Sequence, residues 1–189
     1  MSFYEFLLFA HIAGAIVWVG GGTMIQLFAF RALRSEDTDR IANIASDIEW
    51  VGSRILVPVS LLTFMLGLGL VWESSGIGFG DDWIVISLIL FAVTFLAGAA
   101  FFGPESGRIA KLVSLHGAGS PEAQTRIRRI IILSRIDLVL LFIIIFDMAV
   151  KPSFDDGWTL TLALVAAVAL ALLLTVRRRP GPETAAVSR

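Results

Sequence analysis

Residues 3–31 read FYEFLLFAHIAGAIVWVGGGTMIQLFAFR, an apolar run longer than the about 20 residues with which a helix crosses a bilayer. Comparable runs follow at about 54–73, 83–103, 129–151 and 158–176. Hydrophobic residues make up 57% of the chain and charged residues 16%, against roughly 25% charged in soluble domains. The sequence therefore predicts an all-α, polytopic transmembrane bundle of about five spans. We expect one domain over residues 1–179 and a disordered tail at 180–189.

Basic residues alternate along the connections between these runs. They lie around the first and third connections, whereas the second, from Glu73 to Trp83, contains none. Cytoplasmic loops near the bilayer are rich in lysine and arginine, so we expect the N-terminus outside and the C-terminus inside a bacterial inner (plasma) membrane. The lipid bilayer is then the expected partner. Nucleic acid is not expected, because the basic residues form short clusters and not one continuous face.

Several classes of chemistry find no motif in this chain. Cysteine is absent, which excludes disulfides, thiolate metal sites and cysteine nucleophiles. No H-E-x-x-H motif, phosphate-binding loop or nucleophile elbow occurs, so hydrolase and kinase chemistry are not indicated. Catalytic residues stay unassigned, and any redox chemistry would have to come from a bound cofactor.

The first run contains a histidine, which is costly inside hydrocarbon unless it is used or hydrogen-bonded. Neutral imidazole is a common ligand of haem iron and other metals, so His11 is a candidate metal ligand. On a helical wheel Trp18 and Gly22 share its face, and Gly14 and Gly21 lie beside it, as a flat macrocycle such as haem b would need. The alternative is a histidine bonded to a neighbouring helix, with the glycines serving close helix packing.

Ionisable residues also occur in the fourth run, at Arg135, Asp137, Asp147 and Lys151. Asp147 and Lys151 are spaced i,i+4 in the favourable order, which predicts a structural ion pair. Arg135 and Asp137 face different sides of a helix and need other partners, for which Glu49 and Arg54 respectively are candidates. A cofactor propionate is the alternative partner for Arg54 or Arg135, because guanidinium binds carboxylate in a fork.

Short motifs suggest a family. They are His11…Trp18-Val-Gly-Gly in the first run, Arg54…Pro58 in the second, and Ser134-Arg-Ile-Asp137…Asp147-Met-Ala-Val-Lys-Pro152 in the fourth. Together they resemble the bacterial integral membrane proteins called domain of unknown function 2269. More distantly, the first run is similar to that of copper-resistance CopD proteins and of the HemJ-type protoporphyrinogen oxidase. The latter resemblance implies haem at His11, and it also implies an intramembrane lysine, which residues 83–103 do not contain.

These observations favour a membrane protein that binds haem b through His11 and has a redox role. A second axial ligand is not evident, so the iron would be five-coordinate, carry a non-histidine ligand or be shared across a homodimer. A second hypothesis is a transport or copper-handling protein whose pathway is lined by His11, Met24 and the charges of the fourth run. A third is a helical scaffold that binds no ligand.

Overall fold

A computed structural model describes residues 1–35, 37–157 and 159, and all regular structure in this part of the chain is helical. The α-helices are α1 (Phe3–Ser35), α2 (Thr38–Val51), α3 (Val57–Glu73), α4 (Asp82–Ala97), α5 (Gly103–His116) and α6 (Pro121–Val150). Two π-helical segments, Gly52–Leu56 and Gly98–Phe102, join α2 to α3 and α4 to α5 without a break. The described chain therefore forms four continuous helices, and the predicted all-α class is confirmed.

Three of these continuous helices are long and apolar enough to cross a membrane: Phe3–Ser35, Thr38–Glu73 and Asp82–His116. The fourth, α6, covers most of the predicted run at 129–151 and carries three ionisable residues within its apolar part. The predicted run at 158–176 and the tail at 180–189 lie outside the described residues. Five spans and the orientation of the bundle therefore stay predictions.

Local sequence signals explain where the helices begin and end. The Asp37 side chain accepts hydrogen bonds from the backbone N–H groups of Asp39 and Arg40, which caps α2. Helix α5 ends before Gly117, whose φ of +80° is a conformation that favours glycine. Helix α2 has an amphipathic pattern typical of an interfacial helix, and a π segment precedes Pro58 at the start of α3.

The helices pack through two kinds of contact. Helices α1 and α3 approach closely at Gly14, where a Cβ atom would collide with the Thr63 side chain. At the other end of α1, a cluster of small and branched side chains is buried between α1, α2, α5 and α6, at Ala29, Ala32, Ile41, Ile109, Ile127 and Ile131. The outer face of α1, including Phe9 and Ile16, is exposed and apolar, as a face in contact with lipid would be.

Candidate functional site

A cavity of about 670 Å³ lies between the helices and is lined by residues of every one of them. This volume is within the range of about 300–1,000 Å³ that is usual for small-molecule sites. The lining is mostly apolar and includes Trp18 of α1 and Phe95 of α4. The cavity is therefore large enough and apolar enough to hold an organic molecule.

Both π-helical segments border this cavity. Gly52, Ser53 and Leu56 line it from the first segment, and Gly98, Ala99 and Phe102 from the second. A π turn replaces i→i+4 hydrogen bonds by i→i+5 bonds, and such turns occur frequently at functional sites. Because two π-helical segments border the same cavity, we interpret the cavity as a candidate functional site and not as a simple gap in packing.

Polar side chains of α1 and α6 meet in the cavity wall. Gln26 Nε2 donates a hydrogen bond to Ser134 Oγ at 2.5 Å, and Ser134 Oγ donates to the Ile131 carbonyl at 3.0 Å. In this arrangement the Gln26 amide points its nitrogen at Ser134 and its oxygen elsewhere. That oxygen, Gln26 Oε1, is buried and has no hydrogen-bond partner among the described residues.

Asp137 of α6 also lines the cavity, and its Oδ1 atom is likewise buried without a partner in the described part of the chain. The ion pair expected with Arg54 is not formed, and Arg54 is exposed. Arg135 lies with its guanidinium carbon 5.8 Å from the centre of the Phe30 ring, and it does not line the cavity. Buried acceptors without partners are rare in folded proteins, so each of them calls for an explanation.

The ionisable side chains that line the cavity are acidic. Glu49 and Asp137 line it, whereas none of the described residues that line it is lysine, arginine or histidine. Glu49 belongs to the amphipathic helix α2 and is exposed, while Asp137 lies deeper, on the apolar part of α6. The ionisable side chains that line the site are therefore all acidic among the described residues.

His11 lies outside the cavity, in the contact between α1 and α3. Its Nδ1 atom is 2.8 Å from the Thr63 carbonyl oxygen. A carbonyl oxygen can only accept, so Nδ1 donates the proton and Nε2 keeps a lone pair in the neutral ring. The ring packs against Gly67, where a Cβ atom would lie 3.0 Å from His11 Cε1. This is the bond to a neighbouring helix that was the alternative to ligation, and it leaves Nε2 available.

The residues expected to hold haem are divided between two places. Trp18 and Gly22 line the cavity. Gly14 and Gly21 face α3, where added Cβ atoms would meet the side chains of Thr63 and Leu56. The structure therefore does not bring these four residues together around the His11 ring, and the two glycines serve close packing of α1 on α3.

The predicted ion pair of Asp147 with Lys151 is wrong. Asp147 is 2% exposed and accepts a hydrogen bond from Ser87 Oγ of α4. Lys151 ends α6 in the left-handed conformation (φ 51°), so helical i,i+4 spacing does not apply to its side chain. Its ammonium group lies 4.9 Å from the centre of the Trp83 ring instead. Spacing within α6 could not indicate Ser87 or Trp83 as partners, because both residues lie on α4.

An ionic cluster joins α5 to α6. Glu105 lies between two arginines, with Oε1 2.9 Å from Arg126 and Oε2 3.3 Å from Arg108. The hydrogen bond that Arg126 donates to the Glu105 carboxylate raises the pKa of the Arg126 guanidinium. This cluster was not anticipated from the sequence, and it fixes the two helices at the end of the bundle where α2 and α5 lie.

Helices of this length and composition, packed around an intramembrane cavity, define a polytopic helical membrane protein. The chain matches the model of the family of predicted integral membrane proteins called DUF2269 over residues 5–152, and it belongs to that family. No curated protein and no solved structure matches the chain. Among the described residues, no three histidine, aspartate or glutamate side chains form a group that could hold a metal ion.

Proposed function

We propose that this protein acts in membrane transport by binding a small, largely apolar molecule in the cavity between its helices. The observation that carries the proposal is that both π-helical segments, Gly52–Leu56 and Gly98–Phe102, border one cavity of about 670 Å³. Prolines two residues after each segment, Pro58 and Pro104, explain how the helices become irregular, and the position of both segments beside one cavity supports a functional role.

The course of the cavity supports a role in moving a molecule. At one end it is lined by Ser46 and Glu49 of α2 and by Ser114 of α5, which are exposed. At the other end it reaches Thr94 and Leu141, which are buried. A molecule could therefore enter from the α2–α5 end and reach the apolar interior, as substrates of secondary transporters do.

The proposal can be tested with protein in phosphatidylcholine nanodiscs. The probes are 1-naphthylmethylamine, 1-naphthylmethanol and 1-naphthoate, which share an apolar body and differ in the polar group. We expect at least one of them to bind saturably in calorimetric titration, after subtraction of empty nanodiscs. Ala99→Trp fills the cavity and should abolish this binding, whereas the matched Ala100→Trp, next to it but outside the lining, should keep it. Equal binding by both variants would contradict the proposal.

Haem b bound through His11 is the second candidate function. It is favoured by the hydrogen bond from Nδ1 to the Thr63 carbonyl, because such a bond orients a ligating imidazole and leaves Nε2 for the metal. Haem would supply one-electron redox chemistry. Arg54 and Arg135 do not accompany His11 in the α1–α3 contact, so in this hypothesis a homodimer would supply propionate partners and a second axial ligand, or the iron would be five-coordinate or carry a non-histidine ligand.

The visible absorption spectrum of protein purified from haem-replete cells tests this second candidate. A Soret band that disappears in His11→Ala and persists in His116→Ala would support ligation, since His116 is exposed at the end of α5. A colourless protein that takes up no added haem would overturn it and would leave the transport proposal untouched.

A further inference from the structure

We infer that the molecule held in the cavity is an organic monocation with N–H groups, a protonated amine on an apolar body, and that Asp137 provides its counter-charge. This inference rests on the proposed binding function and names the chemical class of the ligand. It is argued from the charges, the free acceptors and the aromatic wall of the cavity.

The first argument is charge. Among the described lining residues the ionisable side chains are the carboxylates of Glu49 and Asp137, and none of these lining residues is basic. A carboxylate removed from water is costly unless a positive group or several donors accompany it. An anion would be repelled from this cavity, and a neutral molecule would leave Asp137 uncompensated. A cation removes that cost when it binds.

The second argument is the kind of hydrogen bonds that are missing. The two buried lining atoms without partners, Gln26 Oε1 and Asp137 Oδ1, are both acceptors. In the structure Ser134 donates to the Ile131 carbonyl and satisfies neither of them. A ligand group that only donates is what these oxygens can bind, and an ammonium group offers up to three N–H donors. A quaternary ammonium offers none.

The third argument is the shape and nature of the wall. Trp18 lines the cavity and makes an edge-on contact with Phe91, their ring centres being 5.8 Å apart, and Phe91 stacks on Phe95 at 5.7 Å. Aromatic rings attract ammonium groups and also pack against apolar bodies. A bare metal ion would leave most of a cavity of about 670 Å³ unfilled. The space and its lining therefore fit an organic cation.

The experiment ranks the same three naphthalene probes by affinity on the full chain in phosphatidylcholine nanodiscs. At neutral pH 1-naphthylmethylamine is cationic, 1-naphthylmethanol neutral and 1-naphthoate anionic. We expect the amine to bind about tenfold tighter than the alcohol or more, since hydrogen bonds to charged groups are worth that much. The naphthoate should bind weakest of the three. Asp137→Asn should remove the preference for the amine, and Gln26→Leu should reduce it.

Controls separate loss of binding from loss of folding. Asp147→Asn removes a carboxylate from the same helix at a buried site outside the cavity, and it should keep the preference for the amine. Each variant is compared only if it elutes as a single symmetric peak in size-exclusion chromatography. Should Asp137→Asn fail this criterion, Gln26→Leu alone decides, because it removes the second free acceptor without touching a charge.

The outcomes distinguish this inference from the proposed function. Equal affinity for amine and alcohol, with both lost in Ala99→Trp, would overturn the cationic class while the binding cavity stands. The same conclusion follows if the amine preference survives in both Asp137→Asn and Gln26→Leu. Absence of binding by all three probes, or binding that Ala99→Trp does not affect, would overturn the proposed function together with the inference.

Discussion

Two polar sites in the apolar part of the bundle, one around His11 and one around Asp137, differ in how their hydrogen bonds are completed. His11 donates to the Thr63 carbonyl within a tight contact of two helices. Asp137 lies in a wide cavity, and its Oδ1 atom has no partner among the described residues. A polar residue within a membrane span therefore indicates a ligand site best when the surrounding protein leaves its hydrogen bonds incomplete.

The largest expected difference is between the cavity and a buried site outside it, in how accessible each is to water. The chain has no cysteine, so single cysteines at Ser53 and Ser60 report on the cavity and one at Ser87 reports on a buried site outside it. Ser60 and Ser87 are about equally buried, but only Ser60 lines the cavity. We expect N-ethylmaleimide to modify the two cavity cysteines at least about tenfold faster than the one at Ser87, because reagent that enters the cavity reaches their thiols. Intact-protein mass spectrometry over time measures the rates. Similar rates at Ser60 and Ser87 would show that the cavity excludes water.

Close packing around His11 should be the more sensitive of the two sites to added volume. Gly14→Leu would force the Thr63 side chain and α3 away from α1, and overpacking of this kind costs about 1–3 kcal/mol. Gly20→Leu is the matched control, because nothing lies within 4 Å of a Cβ atom at Gly20. Thermal unfolding in detergent should show a lower midpoint for the first variant only. An unchanged midpoint would mean that the α1–α3 contact is looser than described.

Substitutions at the two carboxylate sites of α6, Asp147 and Asp137, should have different effects on stability. Ser87→Ala removes the hydrogen-bond donor of the buried Asp147 and should cost about 1–3 kcal/mol of stability. Asp137→Asn removes a charge whose Oδ1 atom has no hydrogen bond to lose, so the unfolding midpoint should stay the same or rise. Unfolding in increasing sodium dodecyl sulfate compares the pair. A large loss of stability in Asp137→Asn would indicate a partner that holds Asp137 in place.

The smallest effect is expected at His11 itself. His11→Ala removes one hydrogen bond to a carbonyl and should cost about 1 kcal/mol. His11→Gln can still donate and should cost less. Because His11 does not line the cavity, naphthalene probes should bind both variants as they bind the unaltered protein. Weaker probe binding in His11→Gln would connect the two sites and would break the comparison between them.

Much of the architecture could be predicted from the sequence. Apolar runs in the sequence predicted the helices α1, α3, α4 and α6. These features depend on periodicity and local composition, which are properties of neighbouring residues. The ionisable residues noted in the fourth run also indicated part of the candidate site, because Asp137 lines the cavity.

The partners across helices could not be predicted. Whether Asp137 faces Arg54 or a cavity depends on how α6 is rotated about its own axis, and spacing within one helix does not determine that rotation. Gln26 was missed for the same reason, since its role follows from the contact with Ser134 on another helix. A signal was present, because an amide inside an apolar run also needs partners.

The two π segments make the protein tolerant of a change in chain length at two places. A π turn holds one residue more than the α turn it replaces, so each segment can lose a residue and become regular α-helix without breaking the continuous helices 38–73 and 82–116. Because the π turn takes up that extra residue within a single turn, such a deletion would leave the flanking helices nearly in register. At Gly52–Leu56 and Gly98–Phe102, loss of one residue would therefore remove the irregular turn beside the cavity and leave α3 and α5 with the same faces toward it.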